Sequence, residues 1–211
     1  LFHVQGLASQ FAALCVGAQP GQKVADLCAA PGGKSLTLAE CMQNQGKLIS
    51  GEYVESRVPL LRKAFARCGV TCAEAVQNDA AQLRSDWGKF DRILCDVPCS
   101  GLGVIAKKPD IRYKDLDGIE NLLLSQQKIL QNGADLLAEN GRLVYSTCTV
   151  NRDENEEQVR TFLKNNPRFH VAVPTLQLPG MQQGEYGTLF LPHKTATDGF
   201  FAAILETEST Q

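Results

Sequence analysis

The 211-residue sequence predicts an α/β fold, with seven strands in a mostly parallel sheet and helices on both faces. Three observations carry that reading. Short apolar runs bounded by turn residues alternate with stretches of helical length and period. The first run leads straight into a tight glycine turn, Ala29–Lys34. The second ends on a carboxylate, Glu52, about 20 residues beyond the turn, a spacing typical of nucleoside-binding doubly wound folds.

Residues 5–18 are expected to form a helix with Leu7, Phe11, Leu14 and Cys15 on its apolar face, closed by Gly17 and the turn at Pro20-Gly21. Lys23–Cys28 reads as the first strand, and Ser35–Met42 as the helix after the glycine turn. Lys47–Glu52 is the second strand, Val54–Cys68 a helix stopped by Gly69, and Thr71–Val76 the third strand. Phe90–Asp96 has the continuous apolar centre Ile93-Leu94-Cys95 of a strand buried on both faces, and it stops before Pro98. Residues 97–114 make a long connection through Gly101, Gly103 and Pro109, a length associated with functional loops. Leu116–Ala138 is a long helix, Gly141–Ser146 the fifth strand and Asp153–Lys164 a helix; Arg168–Val173 and Phe200–Leu205 close the sheet.

With 44% hydrophobic and 21% charged residues the chain can bury a core as one domain, which excludes intrinsic disorder. No apolar run nears the roughly 18 residues that span a bilayer, and no charged-then-apolar leader opens the sequence, so a soluble cytoplasmic protein is expected. Eight cysteines are too scattered for a disulfide scaffold and suit a reducing compartment. They contain no C-x-x-C, and only His3, His170 and His193 are available beside them, so no metal site is expected.

A net charge of -2 supplies no global attraction to a polyanion, so any nucleic-acid contact must be local or borrowed from another region. The best local cluster is Lys107, Lys108, Arg112 and Lys114, with Tyr113 available for stacking; a solvated loop is the alternative. The chain begins at Leu1 rather than methionine and is expected to be a domain of something longer.

In Asp26-Leu27-Cys28-Ala29-Ala30-Pro31-Gly32-Gly33-Lys34, adjacent glycines let the backbone approach a ligand above the carboxyl end of the first strand. The spacing is not G-x-G-x-x-G. It departs from a phosphate-binding loop at one residue, Cys28, which stands where the first glycine would be. Taken alone, the turn leaves open a nucleotide hydrolase with Asp96 near magnesium, another cofactor site, or a ligand-free connection. Glu52 is placed to accept hydrogen bonds from ribose hydroxyls, which favours a nucleoside-containing ligand held without phosphates. Asp79 and Asp96 add acceptors on the same rim, although helix capping explains any one of them equally well. Cys99 and Cys148 each follow the carboxyl end of a central strand, where ligands of such folds sit. Cys15, Cys28, Cys41, Cys68, Cys72 and Cys95 read as small buried hydrophobes.

These segments, together with Asp91–Gly101 and Leu143–Thr149, resemble the Nop/Sun family of RNA (cytosine-5) methyltransferases, most closely its bacterial Sun/RsmB branch. Gly103-Val104-Ile105, Lys108–Arg112 and Thr197–Phe201 carry the same likeness. The resemblance implies a Rossmann-like S-adenosylmethionine-dependent methyltransferase fold. Cofactor would be bound by Cys28, Ala29, Ala30, Pro31, Gly32, Gly33, Lys34, Glu52, Asp79 and Asp96. Cys148 would be the nucleophile, Cys99 would help release product, and Asp96 would hydrogen-bond the base. The RNA partner would be small-subunit (16S) ribosomal RNA, met by Lys107, Lys108 and Arg112, and the protein would be a monomer. Residues 1–20 would be a leading helix and linker and 21–211 the catalytic domain, with an RNA-binding region upstream. The chain departs from the family pattern at Glu52, commonly aspartate; at Asn78-Asp79, commonly Gly-Asp; and at Val4-Gln5-Gly6, commonly Val-Gln-Asp. The rivals are a P-loop-like nucleotide hydrolase, which leaves Cys99 and Cys148 idle, and a non-catalytic RNA-binding module for ribosome assembly, which intact Cys148 and Asp96 argue against.

Overall fold

The computed structural model describes residues 2–113, 115 and 117–207; Lys114 of the basic cluster and Leu116, the expected start of the long helix, lie outside them. The chain runs α1 (Leu7–Cys15), β1 (Lys23–Asp26), α2 (Gly33–Cys41), β2 (Lys47–Glu52), α3 (Val58–Cys68), β3 (Ala73–Gln77) and β4 (Phe90–Asp96). It continues through α4 (Ile119–Leu136), β5 (Leu137–Thr147), α5 (Glu156–Asn165), β6 (Phe169–Ala172), β7 (Gln182–Gln183), β8 (Thr188–Phe190), α6 (Pro192–Thr195) and β9 (Phe200–Thr207).

The sheet has nine strands among the described residues, eight in the order β3-β2-β1-β4-β5-β9-β8-β7 and β6 paired to β9 off this path, where seven were expected. The additional pair, β7 and β8, has only two and three residues, too few for a period to register in the sequence. β1 to β5 are mutually parallel. β9 lies antiparallel to β5, with Val144 opposite Ile204, and its other edge is shared by β6 and β8.

Apolar strands of this kind are covered on both faces. Ile129, Leu130 and Ala134 of α4 join Val159 and Phe162 of α5 against one face. Phe11 and Ala12 of α1, Leu38 of α2 and Met42 just past its end pack on the other, where α3 adds Leu61 and Phe65 in a neighbouring cluster. The buried stripe of α1 differs from the expected one: Leu7 and Leu14 are 47% and 40% exposed, while Ala8, Phe11, Ala12 and Cys15 are buried. The alanines share a cluster with Leu38, Ala39 and Met42, and Phe11 stacks edge-on to Phe190 at 4.9 Å, which turns the small side chains inward. The helix expected over Val54–Cys68 opens with a separate 3-10 turn, Glu55–Arg57, and that over Asp153–Lys164 with another, Arg152–Glu154.

Strand order sets the place of the site. β1 has β2 on one side and β4 on the other, so connections leaving their carboxyl ends diverge and open a crevice between them. β4 and β5 are adjacent and in register, with Asp96 opposite Ser146. The loops that carry Cys99 and Cys148 therefore leave the sheet side by side.

Candidate active site

A cleft of about 690 Å³ lies over the carboxyl ends of β1, β2 and β4, lined by Cys28, Ala30, Glu52, Asp79, Asp96, Cys99 and Cys148 among others. Apolar walls come from Leu27, Val97 and Ile129. Volume does not single it out, since grooves beside α2 and at the opposite end of the sheet measure about 790 and 770 Å³. It is distinguished by converging carboxylates and thiols, the mark of a site in this fold.

Of the turn, Cys28 and Ala30 line the cleft directly. The Ala29 N–H donates to the Gly51 carbonyl at 2.8 Å and anchors the turn to β2. Gly32 has φ 108°, a conformation that favours glycine, and a Cβ there would crowd Leu61 of α3 at 3.1 Å. Gly33 then opens α2. Lys34 does not point along the cleft wall: its Nζ donates to Asp96 Oδ2 at 2.7 Å and lies 5.3 Å from the centre of the Phe200 ring.

The three rim carboxylates have unlike surroundings. Glu52 is buried, accepting from the Val54 N–H at 2.9 Å and facing Arg57 at 3.4 Å. Arg57 also donates to the Ala30 carbonyl at 3.2 Å, joining the two sides of the cleft. Asp79 accepts from the Ala81 N–H and from Gln82, both at 3.0 Å, so its local role is to cap a turn. Asp96 is held by Lys34 on one oxygen and by the Ser146 hydroxyl, at 2.8 Å, on the other. Beneath the turn, burial lifts the Asp26 carboxyl to about 7, although Ser35 donates to it at 2.7 Å; its Oδ1 has no hydrogen-bond partner among the described residues.

Cys99 and Cys148, from different loops, lie with their sulfurs 3.3 Å apart. The hydrogen bond donated by the Cys99 thiol holds Cys148 below the ordinary thiol range; Lys34 acts in the same direction, against burial and Asp96. The same contact, with burial, pushes Cys99 up. Burial raises Cys28 and Cys95. One thiol thus favours the anion and its neighbour favours retaining its proton.

Of the expected RNA contacts, Lys107 is ion-paired with Asp198, Lys108 lines the cleft, and Arg112 stands exposed beside Tyr113 in the same connection. Lys107 and Asp198 also flank Gly6: a Cβ at that position would lie 3.4 Å from each. Sequence reasoning missed Ser146, Arg57, the buried Asn78 and the fully buried Glu154. The types and spacings of Ser146 and Glu154 carry no signal, because their partners Asp96, Ser100 and Gln126 come from distant segments that meet only in the fold.

A family model described as 16S rRNA methyltransferase RsmB/F matches residues 13–206. The chain is 38% identical to a probable ribosomal RNA small subunit methyltransferase B of Bacillus subtilis over 94% of its own length and 46% of the relative's. It is 36% identical to a ribosomal RNA small subunit methyltransferase F of Cronobacter sakazakii, over 97% of the chain and 44% of that protein. The chain thus spans a little under half the length of these relatives. The crystal structure of NSun6 from Pyrococcus horikoshii with SFG superposes with a TM-score of 0.89 at 30% identity, over 99% of this chain and 54% of that one. These likenesses lend no support to a nucleotide hydrolase. Together with the match over nearly all of its length, they place this chain in the 16S rRNA methyltransferase RsmB/F family.

Proposed function

We propose that this chain is the catalytic part of a cytoplasmic enzyme that transfers a methyl group from S-adenosylmethionine to carbon 5 of a cytosine in small-subunit ribosomal RNA. The observation that carries the proposal is the 3.3 Å approach of Cys99 and Cys148 on the rim of a carboxylate-lined cleft, beside Asp96. Family membership supports it, as does the NSun6 structure, whose SFG is an analogue of S-adenosylmethionine. Residues 21–211 would form the catalytic domain, with the leading helix sharing its core.

The cleft suits this cofactor. Glu52, Asp79 and Asp96 are acceptors for hydroxyl and amino donors and complement a positive sulfonium, whereas they oppose a polyphosphate. Leu27, Val97 and Ile129 offer an apolar bed for an adenine ring. Cys28 to Gly33, Glu52, Asp79 and Asp96 would form the cofactor wall, with Lys34 bracing Asp96 from outside it. When bound, S-adenosylmethionine supplies an electrophilic methyl group.

Carbon 5 of cytosine is a weak nucleophile, and adding a thiolate to carbon 6 makes it enamine-like. Cys148, held toward its anion by Cys99 and Lys34, performs that addition. Asp96, braced by Lys34 and Ser146, keeps free lone pairs to hydrogen-bond the pairing edge of the flipped base. Adduct formation removes the thiolate charge that kept the proton on Cys99; once that proton passes to solvent, the Cys99 thiolate would take the carbon 5 proton while the bond between Cys148 sulfur and carbon 6 breaks and frees the Cys148 thiolate. Lys107, Lys108 and Arg112 would meet phosphates near the cleft mouth.

Calorimetric titration with S-adenosylmethionine, S-adenosylhomocysteine and ATP with magnesium, followed by labelled-methyl transfer to small-subunit RNA by the full-length protein, tests this reading. Binding of the first two and label on carbon 5 are expected. Binding of ATP alone overturns it.

A further inference from the structure

Glu154 is fully buried, yet it sits in the short turn before α5, away from the cleft lining. Its carboxylate is met by uncharged donors from three parts of the chain. The Ser100 N–H donates to it at 2.8 Å, and the Ser100 hydroxyl bonds its other oxygen. Gln126 of α4 donates at 3.0 Å and Asn151 at 3.2 Å. A buried carboxyl group met by uncharged donors has its oxygens satisfied by hydrogen bonds rather than by a cation, and it has no role in the chemistry derived above.

The partners are the two loops that carry the thiols. Ser100 directly follows Cys99, and its hydroxyl also lies 2.8 Å from that of Thr149, which directly follows Cys148. Gln126 donates to the Pro98 carbonyl at 2.9 Å as well, so that with Glu154 on Ser100 the first loop is held on both sides of Cys99. The neighbouring Asn155 donates to the Thr149 carbonyl at 3.1 Å and fastens the second loop. The 3.3 Å sulfur separation therefore rests on a buried hub below it.

We propose that Glu154 is a positioning residue that holds the Cys99 and Cys148 loops in register and acts on the reaction through Cys99. The inference rests on the proposed roles of the two thiols, but its consequence is visible without RNA or cofactor. If Glu154 seats Cys99 as donor to Cys148, disturbing it weakens that hydrogen bond and makes the Cys148 anion harder to form.

The test is the pH dependence of Cys148 alkylation by iodoacetamide, read by peptide mass spectrometry in the full-length protein. Cys99→Ala should raise the midpoint. Glu154→Gln, which turns an amide N–H₂ toward a set of donors, should raise it by about one pH unit, or about tenfold less thiolate below the midpoint. In the Cys99→Ala background Glu154→Gln should add nothing. A Glu154→Gln midpoint equal to wild type, or an equal shift without Cys99, overturns the proposal. Should Glu154→Gln fail to fold, Ser100→Ala removes only the hydroxyl link between Glu154 and Thr149; a raised midpoint supports the hub and an unchanged one overturns it. Failure of methyl transfer by the wild type would instead reject the proposed function.

Discussion

The sulfurs of Cys99 and Cys148 lie 3.3 Å apart although 49 positions separate them in the chain. They meet because β4 and β5 are parallel neighbours whose ends are in register, so that the loops after Asp96 and Thr147 rise together. An unequal thiol pair is the consequence, with Cys148 drawn toward its anion and Cys99 toward its neutral form.

That inequality predicts unequal variants. Cys148→Ala should lower methyl transfer by at least about 10³-fold and form no RNA adduct. Cys99→Ala should still form the adduct and accumulate it as a covalent protein–RNA complex, visible as a shifted band on a denaturing gel. Normal turnover by the Cys148 variant would remove it as nucleophile.

Lys34 contacts Asp96 rather than lining the cleft, so its removal should be felt in chemistry more than in cofactor binding. Lys34→Met is expected to lower kcat by about 100-fold or more while changing the calorimetric Kd for S-adenosylmethionine less than about threefold. A large loss of affinity with unchanged kcat would assign it to the cofactor instead.

Glu52 is expected to show the opposite balance. Losing a charge-assisted hydrogen bond costs about 1.5–3 kcal/mol, so Glu52→Ala should weaken cofactor binding by about 10- to 100-fold. Glu52→Asp, the residue common in the family, should retain most of the affinity. Calorimetry on the folded variants separates these outcomes.

Asp26 predicts a pH dependence of stability. Its carboxyl stands at about 7 in the folded chain and near 3.8 in the unfolded one, so between these values the folded state binds the extra proton. Stability from this group is therefore present below about pH 4 and falls as pH rises, by up to about 1.4 kcal/mol per pH unit, until about pH 7. Asp26→Asn should lack that component, and urea denaturation of both proteins at pH 5 and pH 7.5 reads the difference. Parallel curves at the two pH values would show that Asp26 ionises freely when folded.

Gly103 crosses Gly199 so closely that a Cβ would lie 1.9 Å from the Gly199 carbonyl oxygen and 2.8 Å from that of Cys148. Backbone atoms cannot step aside as a flexible side chain does, so Gly103→Ala should destabilise the fold by about 2–3 kcal/mol and displace the Cys148 loop. Denaturant midpoints measure the first effect, and slowed Cys148 alkylation the second.

Reading from the sequence succeeded where information is local. β2 and β4 fall on their expected residues, and the carboxylates and cysteines with expected roles come to one cleft, because strand period, glycine turns and strand-end positions are written along the chain. It failed where partners decide. The buried face of α1 turned because Ala8 and Ala12 allow close approach to α2, a preference that cannot be seen before the neighbour is known. β7 and β8 escaped because such short strands exist only by pairing with each other and with β9.

By itself, then, the sequence determined the α/β class, the positions of the central strands and the kinds of chemical group at their ends, since these follow from local periodicity and residue type. Tertiary structure alone decided that Lys34 braces Asp96, that the Cys99 and Cys148 sulfurs meet, and that Glu154 ties their loops together. Such hydrogen bonds act over about 3 Å, and only the order and register of the strands bring groups so distant in the chain within that reach.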